Sequence, residues 1–289
     1  MTLPILMCTD FSDLSERAFP FAAALGRALE CPIRLIHVSD IDVFHGGVSG
    51  EGRRPWEDDL LRYIEERLAS SAARLAALGV AVESRVRLGI ASHVLIAEAK
   101  DGVRLAVIAT RGHGGLLRAL LGSVAMKFVQ ESPVPVLVVP HDAEQRSYSK
   151  VLMPVDLSEL TTGILADSLE LLRSLGSTVE FFHAHVPVNT GTAGLLPVPT
   201  ETLELSGQVE ERVKEFAAHA NMAGVPSTWA IAHGHSASRA IVERATQIDA
   251  GLIVMPGHGR RGLERFILGS VAEKVARKSD RPVLVLKAG

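Results

Sequence analysis

Two glycine-rich segments of the chain have the composition of an anion-binding loop. The first is Ala109-Thr110-Arg111-Gly112-His113-Gly114-Gly115 and the second is Pro256-Gly257-His258-Gly259-Arg260-Arg261-Gly262. Each follows a short apolar run, and each is followed after a few residues by Gly-Ser-Val, at 122–124 and 269–271. Such a loop after a parallel strand, with Gly-Ser opening a helix, presents backbone N–H groups and the positive end of the helix dipole to an anion. The pattern predicts an anion site in each segment, and a tight strand-to-helix turn without a ligand is the alternative.

Four polar side chains are candidates to complete these sites. Ser123 and Ser270 can add hydroxyl donors beside the predicted helices. Asp10 and Asp156 each follow an apolar run, and a carboxylate at the carboxyl edge of a parallel sheet could hold ribose hydroxyls or donors on the adenine side. The serines also suit plain helix N-caps and the aspartates plain turns, so both interpretations stay open.

The chain repeats itself at the spacing of a whole domain. Leu6–Ser12 matches Leu152–Ser158, and further matches follow at an offset near 146 residues. A period of this length is too long for a solenoid unit and indicates a duplicated fold. We therefore expect two domains, at residues 1–143 and 150–289, with a short polar linker within His141–Lys150.

Within each half, short apolar runs alternate with longer segments of helical period, which is typical of βαβ units. We expect Ser12 and Ser158 to act as helix N-caps and Pro20 to kink the first helix. The predicted fold class is α/β, with two tandem Rossmann-like domains of the adenine nucleotide alpha hydrolase-like type, each an open five-stranded parallel sheet with helices on both faces. In the first half the strands are expected near 3–9, 33–39, 80–87, 104–109 and 134–139, and the helices near 12–30, 56–78, 91–101 and 120–131.

The composition narrows the class of protein. A chain of 289 residues with 47% hydrophobic and 22% charged side chains is typical of a globular protein with one large or two ordinary domains. Its net charge of −3 provides no field for attracting nucleic acid, and no apolar stretch predicts a membrane span. Two cysteines and no recognisable signal peptide favour a reducing, cytoplasmic location.

No metal site and no catalytic residue are predicted. His183 and His185 alternate onto one strand face and His233 and His235 bracket a glycine, but no carboxylate or cysteine stands nearby at ligand spacing. Cys8 lies in a strand-like run and is expected to pack in the core.

The glycine spacing resembles that of the universal stress protein family in its tandem, two-domain form. The family pattern is Gly, two residues, Gly, nine residues, then Gly-Ser or Gly-Thr. The nine-residue spacing is met from Gly112 to Gly122 and from Gly259 to Gly269. Alanine and proline replace the first glycine in the two halves. The Thr-Asp-Phe-Ser start and the Pro-Val-Leu-Val strands that close each half extend the resemblance over nearly the whole chain.

This resemblance implies binding of ATP or a related adenine nucleotide, with Mg²⁺ held through the phosphates. It places the first-strand Asp and the residue after the second-strand His near adenosine, and Gly-Ser near the phosphates. Proline deletes an N–H where alanine adds only a methyl group, so the first half is ranked as the nucleotide site ahead of the second. The implied site residues are Thr9, Asp10, Val38, Ala109, Arg111, Gly112, Gly122, Ser123 and Val124, and in the second half Asp156, Ala184, Pro256, His258, Gly259, Gly269, Ser270 and Val271.

Three functions remain in competition at this point. The first is a bacterial stress-response sensor or regulator in which bound ATP changes the shape of the protein or its choice of protein partner. Hydrolysis would be slow at most, because no Walker lysine is present. The second is a degenerate scaffold for a lipid or other small metabolite. The third is an adenylating enzyme of the ATP-pyrophosphatase type, against which the absence of a Ser-Gly-Gly-x-Asp-Ser loop counts. The family also implies an intramolecular pseudo-dimer with Val134–Val139 near Val283–Leu286, with further homodimer formation left open.

Overall fold

The computed structural model describes residues 2–40, 55–110, 121–158, 168–185, 200–234, 236–257 and 268–287, without the side chains of 55 and 200–206. Contacts divide the chain into two compact units, Met1–Gln145 and Arg146–Ala288. They are called the N-terminal and C-terminal units below. The exact domain limits expected above, at residues 143 and 150, stay a prediction.

The N-terminal unit alternates strands and helices as the apolar pattern predicts. The short strands are rich in Val, Ile and Leu, and the longer helices carry their apolar residues at helical spacing. Its elements are β1 (Ile5–Cys8), α1 (Asp13–Glu16), α2 (Phe19–Ala28), β2 (Ile33–Ser39), α3 (Pro55–Ala76), β3 (Val82–Leu88), α4 (Ala91–Lys100), β4 (Leu105–Ala109), α5 (Ser123–Glu131) and β5 (Val136–Val139).

The C-terminal unit repeats this order in its described residues. Residues 168–174, between its first and second strands, are also helical. Its elements are β6 (Lys150–Pro154), β7 (Thr178–His185), α6 (Thr200–Met222), β8 (Ser227–His233), α7 (Ala237–Gln247), β9 (Leu252–Pro256), α8 (Ser270–Lys278) and β10 (Val283–Leu286).

Both units have a parallel sheet with the same topology. The strand order is β3-β2-β1-β4-β5 in the N-terminal unit and β8-β7-β6-β9-β10 in the C-terminal unit. The chain winds outward from β1 in one direction and from β4 in the other, and likewise from β6 and β9. In such sheets a ligand crevice opens beyond the carboxyl ends of the two strands at which the winding reverses. The topology therefore directs attention to the ends of β1 and β4, and of β6 and β9.

Helices cover both faces of the central strands, so these strands are apolar along their whole length. In the N-terminal unit α2 and α3 contact each other on one face, and α4 and α5 contact each other on the opposite face. Ile5–Met7, Leu105–Ile108 and Val136–Val139 are at most 4% exposed. Burial on both faces explains why these runs do not alternate with polar residues. The predicted α/β fold class is confirmed.

The first helix differs from the prediction of one continuous helix over residues 12–30. Two helices form instead, with Arg17 and Ala18 in a turn between them. Pro20 has no N–H to donate to the carbonyl of Glu16, so the first helix cannot pass through it. At the second position of α2 its missing N–H costs nothing, because the first turn of a helix has no acceptor for that group. The predicted N-cap at Ser12 is confirmed: its hydroxyl accepts from the N–H of Ser15 at 3.1 Å.

Each unit has an ion pair between its second strand and the helix that follows its third strand, and the acidic and basic residues are exchanged between the two units. In the N-terminal unit Arg34 on β2 lies 3.7 Å from Glu98 on α4. In the C-terminal unit Glu180 on β7 accepts two bonds of 2.7 Å from Nε and Nη2 of Arg244 on α7. The acidic and basic partners have changed places between the two copies, so the space between strand and helix accepts either polarity.

No described helix combines the length and the apolar character needed to cross a membrane.

Candidate functional site

The turn after the first strand has the same geometry in both units. Oδ1 of Asp10 accepts from the backbone N–H of Ser12 at 3.0 Å and from its hydroxyl at 2.5 Å. Asp156 accepts the same two bonds from Ser158, at 3.0 and 2.6 Å. One carboxylate oxygen of each aspartate therefore closes a turn, which is the structural role left open by the sequence.

This turn places a non-glycine residue in the left-handed region. Phe11 has a φ of 63° and Leu157 a φ of 62°. In the N-terminal unit the hydroxyl of Thr9 stabilises the turn by accepting from the N–H of Phe11 at 3.0 Å. Thr9 is itself 4% exposed. Recurrence of an unfavourable backbone conformation at matching positions shows that the surrounding fold imposes it.

The second strand contributes one histidine to each turn. Nδ1 of His37 lies 2.9 Å from the carbonyl oxygen of Thr9, and Nδ1 of His183 lies 2.8 Å from that of Val155. Val38 and Ala184, the residues implied to lie near adenosine, follow these histidines and are half-buried. The first two strands are thereby held together at the carboxyl edge, where the sequence predicted the site.

The glycine segments join the fourth strand of each unit to a helix. The N–H of Gly122 donates to the carbonyl of Thr110 at 2.8 Å, and the N–H of Gly269 donates to the carbonyl of Gly257 at 2.6 Å. These two hydrogen bonds hold the starts of α5 and α8 beside the ends of β4 and β9. Arg111, Gly112, His258 and Gly259 lie outside the described residues.

The next amides along α5 and α8 lie at helix N-termini that have no side-chain cap. Gly122 and Gly269 are the N-cap residues. Ser123 is exposed and Val124 is 37% exposed. Within the described part of the chain, no group accepts a hydrogen bond from the backbone N–H groups of these two residues. The first turn of α5 thus presents donors and the positive end of a helix dipole at the crevice of the sheet.

Comparison with known proteins assigns the family. The sequence model of the "Universal stress protein family" matches residues 1–140 and again residues 147–287. The chain belongs to the universal stress protein family. Its two matches cover both units, so it is a tandem member.

Relatives of the same tandem length support this assignment. A universal stress protein of Mycolicibacterium smegmatis is 26% identical over 98% of this chain and 96% of its own length. One of Synechocystis is 24% identical over 98% of this chain and 99% of its own length. The crystal structure of a universal stress protein from Archaeoglobus fulgidus superposes with a TM-score of 0.69 at 22% identity, covering 99% of this chain and 96% of that one. That likeness shows a shared fold.

A different residue replaces the first glycine of the universal stress protein motif in each unit. Ala109 ends β4 and is half-buried, whereas Pro256 ends β9 and is buried. Gly257 does not offset Pro256 with a left-handed backbone conformation, because its φ is not positive. A Cβ there would lie 3.1 Å from both the carbonyl oxygen of Leu286 and Cγ1 of Val285. A side chain at position 257 would therefore crowd the end of β10.

An acidic residue that the motif does not reveal distinguishes the two helix starts. Glu273 lies in the first turn of α8, while α5 has no acidic residue in its first turn. Glu273 pairs with Arg277 at 2.9 Å. A carboxylate near a helix N-terminus opposes the approach of a second anion. Alignment of the two Gly-Ser-Val segments could have revealed this difference, since Met126 stands in α5 where Glu273 stands in α8.

An aromatic stack beside Asp10 was also missed by sequence reasoning. The rings of Phe11 and His37 are stacked with their centroids 4.0 Å apart. The guanidinium of Arg67, on α3, lies 4.8 Å from the centroid of Phe11. Leu157 replaces Phe11 in the C-terminal unit, so only the N-terminal unit has this stack. Sequence spacing could not reveal it, because Arg67 reaches the turn from a helix far away in the chain.

Neither a metal centre nor a reactive thiol is built by the described residues. No group of three His, Cys, Asp or Glu side chains among them is arranged to hold a metal ion. His183 and His185 have ring centroids 6.3 Å apart, and His235 lies outside the described residues. Burial raises the pKa of the Cys8 thiol to about 12, so the thiol stays protonated and unreactive at neutral pH.

Protonation of His37 should destabilise the fold as the pH falls. Burial lowers the pKa of His37 below its ordinary value of 6.5, against the opposing effects of the Thr9 carbonyl and Asp10. Between the folded and unfolded pKa values the unfolded chain binds more protons, so the free energy of unfolding decreases as pH drops through about 6.5. The Asn variant His37→Asn retains a donor toward Thr9 without titrating. We expect urea unfolding curves from pH 8 to pH 5.5 to show a smaller loss of stability for His37→Asn than for the parent; equal losses would contradict this assignment.

Proposed function

We propose that this universal stress protein binds ATP with Mg²⁺ in its N-terminal unit and acts as a ligand-dependent sensor or regulator. One observation carries the proposal: the exposed first turn of α5 presents the N–H groups of Ser123 and Val124 where the sheet winding reverses. Uncommitted amides at a helix N-terminus favour phosphate because their dipoles and hydrogen bonds act together. The hydroxyl of Ser123 adds a further donor.

The adenosine part of the ligand would lie along the ends of β1 and β2. Asp10 closes its turn through Oδ1, and its carboxylate is held half-buried at the crevice beside that turn. A carboxylate in this position suits ribose hydroxyls, and the half-buried backbone at Val38 suits the base. Mg²⁺ would be held through the phosphates, without a dedicated set of protein ligands.

The N-terminal unit is the better phosphate site on electrostatic grounds. The C-terminal unit repeats the uncapped helix start at Ser270 and Val271, but Glu273 lies in the first turn of the same helix. Pro256 also removes a backbone N–H at the end of β9. Both features weaken phosphate binding relative to Met126 and Ala109 in the N-terminal unit.

A matched pair of substitutions tests the proposal and its preference for one unit. Glutamate at the first helical position is compatible with a helix, because negative charge stabilises an N-terminus. It repels a phosphate that would use the same amides. We expect Ser123→Glu to weaken binding of ATP with Mg²⁺ by at least about tenfold, since hydrogen bonds to charged groups contribute about 1.5–3 kcal/mol each. Ser270→Glu is the matched control and should leave the affinity unchanged.

Isothermal titration calorimetry with thermal unfolding gives the readout. The parent chain should release or absorb heat with about one ATP per chain and should be stabilised by millimolar ATP, because a ligand that binds the folded state raises its stability. Equal loss in both serine variants would place nucleotide in both units. Neither heat nor stabilisation for the parent would contradict the proposal and favour the scaffold function. Phosphate release assays should show no more than slow hydrolysis.

A further inference from the structure

The C-terminal unit contains a cleft that is not part of the proposed nucleotide site. It has a volume of about 550 Å³ and lies between β8 and α7. This volume is within the range of about 300–1,000 Å³ that is typical of small-molecule sites. Its floor includes Phe182, Ala230 and Ala232, and its helical wall includes Arg239, Ala240 and Arg244. The floor residues point to the side of the sheet that α7 covers. His183, the next residue of β7, points to the other side, toward the turn that contains Asp156.

The N-terminal unit shows which side chain fills the corresponding space in the other copy of the fold. Ile36 pairs with Arg85 and Val38 with Arg87 across β2 and β3. At the same register Phe182 pairs with Ala230 and Ala184 with Ala232. The side chain of Arg87 crosses from β3 to α4, where it donates to Glu98. Two arginines of one copy are therefore two alanines in the other, and the cleft lies where the side chain of Arg87 crosses in the N-terminal unit.

The wall of the cleft has two arginines, each paired with a glutamate but held to a different degree. Arg244 is fixed, because Nε and Nη2 bond to Glu180 at 2.7 Å and Nη1 donates to Gln247 at 3.3 Å. Its guanidinium plane can cover an aromatic ring while it keeps these bonds. Arg239 is 79% exposed and pairs at 2.7 Å with Glu243, which is 53% exposed. An exposed pair of this kind contributes little, so a ligand carboxylate can replace Glu243 as the partner of Arg239.

We infer that this cleft binds a small, flat aromatic carboxylate. The methyl groups of Ala230, Ala232 and Ala240 and the ring of Phe182 provide an apolar surface for the ring system. Arg239 binds the carboxylate, and Arg244 lies over the aromatic body. Among the described residues of the N-terminal unit, Arg87 crosses the corresponding space to Glu98. This inference does not depend on ATP binding, since the cleft and the start of α5 belong to different units.

The probe for the test is 2-naphthoate, with 2-naphthalenemethanol as its uncharged counterpart. The full chain, labelled with ¹³C at alanine methyl groups, is titrated with each compound and followed by NMR. We expect 2-naphthoate to shift the methyl signals of Ala230, Ala232 and Ala240 together, and the alcohol to bind at least about fivefold more weakly. No shift at these three methyl groups at millimolar 2-naphthoate would overturn the inference, and equal affinity for the alcohol would overturn the assignment of a carboxylate.

Three variants locate the probe within the cleft. Ala232→Arg copies the residue that the N-terminal unit has and should abolish the shifts of Ala230 and Ala240. Arg239→Gln should weaken 2-naphthoate binding at least about fivefold, whereas Arg212→Gln, at an exposed arginine on α6, should not change it. Glu243→Gln should strengthen binding, because it removes the competing carboxylate. Shifts that persist unchanged in a folded Ala232→Arg chain would show that the probe lies elsewhere and would refute the site.

Discussion

Replacing Gly251 with alanine should destabilise the C-terminal unit by about 3 kcal/mol or more, because overpacking against backbone cannot be relieved by turning a side chain. A Cβ at Gly251 would lie 1.9 Å from the carbonyl oxygen of Ser147 and 2.9 Å from its carbonyl carbon. The N–H of Gly251 also donates to the carbonyl of Lys150 at 2.9 Å, so the backbone is held against this segment. One of the two must move, and the start of β6 would move with it.

The two tryptophans allow this loss to be measured in the unit that carries it. Trp229 lies in the C-terminal unit and Trp56 in the N-terminal unit, and the chain has 2 tryptophans in all. In a Trp56→Phe background, fluorescence during urea unfolding reports Trp229 alone. The midpoint should fall sharply for Gly251→Ala.

Gly207 provides the matched control within the same unit. It is exposed inside α6, and none of the described atoms would lie within 4 Å of a Cβ there. Gly207→Ala should therefore stabilise the unit by about 0.5–1 kcal/mol, because alanine favours a helix interior over glycine. A Gly251→Ala chain as stable as the parent would show that the Ser147 segment can move away without cost, and that its close approach is not needed.

Exchanging the charges of Glu180 and Arg244 together should cost clearly less stability than the two single reversals added together. Each single variant, Glu180→Arg or Arg244→Glu, places like charges together where the side chains are only 14% and 31% exposed in the parent. Loss of a partner from a largely buried pair costs about 3 kcal/mol. The double variant reproduces the polarity of Arg34 and Glu98 in the N-terminal unit.

A double-mutant cycle separates this pairing from general effects of the substitutions. We expect a coupling free energy of about 2–3 kcal/mol from urea unfolding of the parent, both single variants and the double variant. A double variant whose loss equals the sum of the two single losses would show no coupling, and would contradict the view that the duplicated fold accepts either polarity.

Much of the fold could be predicted because its signals are local. The apolar runs at Ile5–Met7 and Val136–Val139 are buried on both faces, so their sequence needs no knowledge of the partners that cover them. The turn at Asp10 and the cap at Ser12 also depend on groups within a few residues. The prediction of a continuous first helix was wrong although Pro20 was noticed, because the first turn of a new helix accommodates a proline, whose missing N–H has no acceptor there, more readily than a helix interior does.

The candidate site could be predicted only in part. Spacing identified the Gly-Ser-Val segments and the two aspartates, since a family motif records which residues lie at the sheet edge. It could not show that the N–H of Gly122 donates to the carbonyl of Thr110 whereas, among the described residues, nothing accepts from the N–H groups of Ser123 and Val124. That distinction depends on where the helix begins relative to the end of β4.

The amino-acid sequence by itself determined that this protein is a duplicated parallel α/β chain of the universal stress protein family, because repeat length, hydrophobic period and glycine spacing are properties of the chain alone. Only the tertiary structure decided how the two copies differ. Arg87 and Ala232 occupy one register position, yet their consequence, a bridge to Glu98 in one unit and an open cleft in the other, arises across the gap between a strand and a helix. Such contacts join residues that are distant in sequence, so no local pattern records them.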